Sequence, residues 1–187
     1  MCSYCGCEGV PAIADLKAEH ESLVDQASHV RAALTSDDRV TAMRLVTRLV
    51  GHLASHVGRE EDGIFRALRE SGEYGEEVDA LEGEHRDLEL AIAGLDVTSL
   101  EFTGRVMRLL DDLDIHVQRE ELGIFPASVV TLGAAGWNAV DEAHTRSPSF
   151  LSHRPDAANR DPAPLSRGPR AGSGPPTMTR TPCKKSH

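Results

Sequence analysis

The 187-residue chain reads as all-α: an antiparallel, up-down-up-down four-helix bundle with a short fifth helix and a disordered C-terminal tail. Apolar residues recur at spacings of three and four through residues 11 to 145, and no segment shows sustained strand alternation. The gaps between the periodic stretches are short, so neighbouring helices must double back on one another.

The first helix begins at Pro11 and runs to about Leu34, with Ile13, Leu16, Leu23, Val30 and Leu34 along one face. Ser36 or Asp37 is placed to cap the second. Its stripe of Val40, Met43, Val46, Leu49, Val50, Leu53, Val57, Ile64 and Leu68 continues to a stop at Ser71 and Gly72. A third helix runs from near Tyr74 to Ala93 through Val78, Leu81, Leu88 and Ile92, and Gly94 ends it. Thr98 and Glu101 stand at capping-box spacing, which predicts the start of a fourth helix through Phe102, Val106, Leu109, Leu110, Leu113 and Val117. Pro126 lacks the backbone donor that a helix interior needs, and is expected to end or kink that helix. Residues 131 to 145, around Trp137 and Val140, form a short fifth helix expected to pack on the outside.

Composition divides the chain into an arm (1–10), the bundle (11–145) and a tail (146–187). Eight of the ten prolines lie in the last 42 residues, beside Ser, Gly and scattered Arg, a mixture that cannot bury enough apolar surface to offset the entropy of ordering. The tail holds eight basic residues against two Asp, either a solvated appendage or a segment that docks on an anionic surface. Residues 1 to 145 hold twelve basic and twenty-eight acidic side chains, which excludes binding to a nucleic-acid backbone. No apolar run is long enough to span a bilayer, and MCSYCGCEGV has neither the basic start nor the apolar stretch of a secretory signal. A soluble, cytoplasmic protein with no membrane partner is therefore expected. Cys2, Cys5 and Cys7 crowd into the arm, where they are either incidental or a thiolate hook for a metal or redox partner.

The chain repeats itself. HVGREEDGIF at residues 56 to 65 returns almost letter for letter as HVQREELGIF at 116 to 125, and AEHESL at 18 to 23 is echoed by GEHRDL at 83 to 88. One helical hairpin is thus a copy of the other, and two such hairpins pack about an approximate two-fold axis. Residues four apart share a helix face, so His56 with Glu60 and His116 with Glu120 project together, and His20 and His85 hold matched places in the first helix of each hairpin. An unpaired carboxylate inside such a bundle costs several kcal/mol or more, and a cation compensates for it while fixing each imidazole as a neutral donor. His20, His56, Glu60, His85, His116 and Glu120 are therefore the candidate ligands of two metal ions, each taking one histidine from each helix of a hairpin or its neighbour, with the glutamates reaching across as bridges. Mixed imidazole and carboxylate ligation favours iron or manganese, and iron fits best. His52 lies one turn before His56 and is either an extra ligand or a partner of one. His29, His144, His153 and His187 read as ordinary histidines, and Ile64, Phe65, Ile124 and Phe125 as core that closes the bundle end. The paired glutamates also admit a plainer reading, a solvated acidic stripe balanced by Arg59 and Arg119.

This pattern of His20, His56-Glu60, His85 and His116-Glu120 resembles the hemerythrin-like HHE cation-binding domains over roughly residues 11 to 130. The resemblance implies a non-haem di-iron centre, bridged by oxo or hydroxo and by carboxylates, inside an antiparallel four-helix bundle. The oxygen-carrying hemerythrins have a fifth histidine four residues after the third-helix His, where this chain has Glu89, and an Asp five residues after the last, where it has Glu121. Reversible oxygen carriage is thus not expected. The ligand set leaves about two coordination positions open if both ions are six-coordinate, which points to turnover of peroxide or nitric oxide. If Glu89 instead coordinates, one position closes and the centre becomes a sensor of oxygen, nitric oxide or iron. A bundle that serves only interaction needs no metal. The expected partner is a small oxidant: dioxygen, hydrogen peroxide or nitric oxide.

Overall fold

The computed structural model of the chain describes residues 9–152. The arm with Cys2, Cys5 and Cys7, and the tail beyond Ser152 with His153 and His187, lie outside the described residues. Helix α1 (Pro11–Thr35) is followed by α2 (Arg39–Glu60), which runs through a π turn (Glu61–Phe65) into α3 (Arg66–Ser71). After α4 (Gly75–Ala93), α5 (Phe102–Arg119) runs through a second π turn (Glu120–Ile124) into α6 (Phe125–Thr131). Helix α7 (Ala134–Arg146) and a 3-10 turn (Phe150–Ser152) complete the described chain, which contains no strand. None of the described helices is long and apolar enough to cross a membrane. With α2 and α3 as one rod and α5 and α6 as another, the architecture is the expected four-helix bundle plus a fifth helix.

The ends of the rods follow from local chemistry. Asp37 takes a left-handed conformation (φ 57°) after α1, and Asp38, one or two residues beyond the expected cap, accepts the Thr41 N–H at 3.0 Å to start α2. Gly72 ends α3 with φ 80°, as its lack of a Cβ allows. The capping box at Thr98 does not form. Asp96 takes both the Thr98 N–H (2.8 Å) and its hydroxyl (2.7 Å), so α5 starts at Phe102 without a side-chain cap. Pro126 does not end the fourth rod. It sits in the first turn of α6, where no donor is missed, and the rod runs on until Leu132 turns extended at ψ 121°.

Two apolar clusters form the core. Leu23, Val30, Val46, Leu49, Leu53, Phe102, Val106, Leu110 and Leu113 belong to one. Ile13, Leu16, Ile64, Phe65, Leu68, Val78, Leu81, Ile124, Phe125 and Val140 belong to the other. Along every rod, one stretch sits between the two: Leu16 to Leu23, Leu53 to Ile64, Leu81 to Leu88, and Leu113 to Ile124. That middle layer holds the duplicated polar residues. Val40 departs from the expected stripe and is 78 % exposed, Ala42 being the buried residue of that first turn. Helix α7 packs on the bundle through one face, burying Val140 and Ala143. It approaches the first π turn so closely that a Cβ on Gly63 would lie 3.1 Å from His144 Nε2. Ordered structure also enters the segment read as tail, where Phe150 stacks on His52 at 4.5 Å.

Replacing Leu110, fully buried, with Ala should cost about 2–5 kcal/mol in a chemical denaturation series, whereas Val40→Ala should stay within about 0.5 kcal/mol of wild type.

Candidate metal centre

Helix α1 supplies His20, the end of α2 His56 and Glu60, α4 His85, the end of α5 His116, and the first residue of the second π turn Glu120. All six are buried, none more than 3 % exposed. Two overlapping sets result: His20, His56, Glu60 and Glu120, and His85, His116, Glu60 and Glu120. Within each set one donor atom per residue lies within 4.8 Å of all the others, so either set could hold a metal ion, and both carboxylates belong to both. His56 Nε2 is 3.2 Å from Glu60 Oε1, and His116 Nε2 is likewise 3.2 Å from Glu120 Oε1. His20 Nε2 reaches across to Glu120 Oε2 at 3.1 Å, and His85 Nε2 to Glu60 Oε2 at 3.6 Å.

The Nε2 atoms of His85 and His116 hydrogen-bond each other at 2.9 Å; the other inward atoms are close without being hydrogen-bonded. The Nε2 atoms of His20 and His56 and all four oxygens of Glu60 and Glu120 are buried and have no partner in hydrogen-bond geometry. Their lone pairs converge on shared space, an arrangement that a cation satisfies and that is costly without one. The residues present therefore fit a metal. Burial opposes charge on His20, but Glu120, Glu121 and Glu60 outweigh it and hold the imidazole well above its ordinary pKa. Burial likewise opposes charge on Glu120, yet His116, His20 and His85 keep its carboxyl well below the usual range. Acids and imidazoles of the cluster thus favour each other's charged forms, a balance that a bound cation would take over.

The outer nitrogen of every imidazole is also fixed. Nδ1–H of His56 donates to Glu19 (2.7 Å), and that of His116 to Glu84 (2.8 Å). Nδ1–H of His85 donates to Glu61 (2.8 Å), and that of His20 to Glu121 (3.2 Å). Each hairpin therefore orients histidines of the other as well as its own, and the Nε2 lone pairs are turned inward. The same exchange recurs in the rings, with Phe65 stacked on His85 at 5.7 Å and Phe125 on His20 at 5.6 Å. Each REE phrase is therefore no solvated stripe: its first Glu is buried in the cluster and its second holds a histidine. Arg59 and Arg119 pair instead with Glu19 and Glu84.

Both π turns begin at or just after the inward Glu, and both are present although only the second is followed by a proline, so the shared phrase and not Pro126 produces them. His52 lies outside both sets. Its Nδ1 bonds Gln26 Oε1 at 2.8 Å, which makes it neither a ligand nor a partner of one. Glu89 is exposed on α4 and takes no part. His29 is exposed, 3.8 Å from Asp25. His144 receives a hydrogen bond from Arg59 at 3.1 Å, and burial, then the Arg59 charge, push its pKa down to about 4. The orienting acids Glu19, Glu84, Glu61 and Glu121 carried one sequence signal, their repetition beside each ligand.

A helical bundle closed around four inward imidazoles and two shared carboxylates is the framework of a cation-binding domain. The family model of the hemerythrin HHE cation binding domain matches residues 12–128, more than half of the chain, and the protein belongs to that family. Comparison with curated proteins and with solved structures finds no significant match.

Glu61→Ala should weaken metal affinity by about 10–100-fold in a chelator competition, with little loss of fold, because it frees the His85 ring without touching the core. The depressed His144 also gives a signed pH effect. The unfolded chain takes up this proton near pH 6.5 and the folded chain only near pH 4, so stability is full above the upper value and falls as pH drops through the window. In chelator-treated protein, His144→Gln should lose less stability than wild type between about pH 7 and about pH 5, read from denaturant midpoints.

Proposed function

We propose that the cluster holds two iron ions, His20 and His56 serving one and His85 and His116 the other, with Glu60 and Glu120 shared between them. The observation that carries this reading is the pair of four-residue sets joined through the same two carboxylates, whose oxygens otherwise lack partners. Imidazole and carboxylate donors without thiolate favour iron over structural zinc. When bound, such a pair supplies Lewis acidity and one-electron redox steps to a small oxidant.

The chain's own contribution is orientation and exclusion. Four acids hold the imidazole tautomers and rings, and the two core clusters keep bulk water away. With Glu89 exposed and Glu121 committed to His20, neither is placed to close a coordination position. This supports turnover over holding, and so a catalase- or peroxidase-like role on hydrogen peroxide, with nitric oxide and dioxygen as the other ligands of this size. Disproportionation of peroxide needs no external donor: one molecule is oxidised to dioxygen while a second is reduced to two waters. The proposed setting is the cytoplasm under oxidative or nitrosative stress, consistent with cysteines crowded in a pattern that suits free thiols better than disulfides.

Iron-loaded protein should show near-ultraviolet absorption and consume hydrogen peroxide at least roughly tenfold faster than Glu60→Ala or His116→Ala. Equal rates in all three would refute the catalytic reading. A stable, spectrally distinct adduct without turnover would replace it with a sensor.

A further inference from the structure

The two hairpins are not equally closed. Between α4 and α5 lies a cleft of about 290 Å³ lined by Glu84, Asp87, Ala91, Asp112, Ile115 and His116, with Leu88 beside them. The repeat assigns each lining residue a mate in the first hairpin, where the equivalent of Ala91 is Gln26 and that of Asp112 is His52. There the groove is plugged. Gln26 and His52 hydrogen-bond across it at 2.8 Å, and Phe150 stacks on His52 with ring planes 4° apart. In the second hairpin Ala91 is too short to bridge, and Asp112 leaves a carboxylate at the mouth.

The hinges differ in the same sense. His56 is held by Glu19, which is fully buried and clamped by Arg59, itself 1 % exposed under α7. His116 is held by Glu84, whose side chain is 31 % exposed, and Glu84 pairs with an Arg119 side chain that is 47 % exposed. His116 is one of the residues lining the cleft, and its Nε2 is 3.2 Å from Glu120 Oε1. A single imidazole thus separates the cleft from the shared carboxylates.

We infer that this α4–α5 cleft is the route by which a divalent cation reaches the centre, gathered at the mouth by Asp87 and Asp112 and admitted as the His116 ring turns aside. The inference rests on the proposed metal centre and adds its direction of filling. The lining carries no Lys or Arg, and although Glu84 is paired with Arg119, Asp87 and Asp112 leave a negative field at the mouth that attracts a cation and repels anions. The first hairpin offers no counterpart, because the Gln26, His52 and Phe150 plug occupies it.

The test transplants the plug. Cobalt(II), stable in air and coloured when bound, is mixed in a stopped-flow instrument with chelator-stripped full-length protein, and the visible absorption gives both rate and final occupancy. Ala91→Gln combined with Asp112→His should slow uptake by about tenfold while leaving the final amplitude unchanged. Asp87→Asn with Asp112→Asn, changes on exposed positions that keep the fold, should slow uptake by roughly threefold and flatten its dependence on salt. Wild-type rates in both double variants, at full amplitude, would overturn the route while leaving the centre intact. No cobalt signal in wild type would instead overturn the metal centre itself, and the route with it.

Discussion

The whole fold turns on one constraint: four imidazoles and two carboxylates share a dry layer between two apolar clusters, and their charges must be balanced there. Hydrophobic burial of Leu, Val and Phe above and below forces the rods together, and the polar layer is tolerable only if every inward lone pair meets positive charge. Neighbouring glutamates do part of this by favouring the charged forms of His20 and His85, against the opposing effect of burial. A pair of cations would do it with better geometry, which links metal occupancy to folding stability.

Duplication makes the balance possible. Glu61 serves His85 while Glu121 serves His20, so neither hairpin has its imidazoles fully oriented alone. The exchange ties the two halves at the centre. Symmetry then breaks at the periphery, where α7 covers Arg59 and Phe150 covers His52, and the corresponding parts of the second hairpin stay accessible. Gly63, buried against His144, and its repeat mate Gly123, with open space around it, show the same division at one pair of positions.

Much of this was legible in the sequence because helix periodicity and an internal repeat are local signals. The apolar stripes located the rods, Gly72 ended one of them, and the spacing within HVxREE put His56 with Glu60 and His116 with Glu120. What escaped was set by contacts distant in the chain. Nothing local says that Glu19 belongs to His56, that Arg59 needs Glu19, or that Glu121 turns to a ring about a hundred positions away. The π turns escaped too, since an inserted residue leaves the 3.6-residue pattern nearly intact. Local competition defeated the capping box, because Asp96 reaches Thr98 first. Pro126 misled for the opposite reason: a proline breaks a helix interior, and the π turn had already reset the ladder before it.

The most direct measurement is the metal content of freshly isolated protein that has never met a chelator, taken together with its thermal midpoint when iron is supplied or withheld during expression. About two irons per chain, and a midpoint several degrees higher with iron, are the expected results. Metal-free protein with the same midpoint under both conditions would contradict the claim that buried cations balance this core.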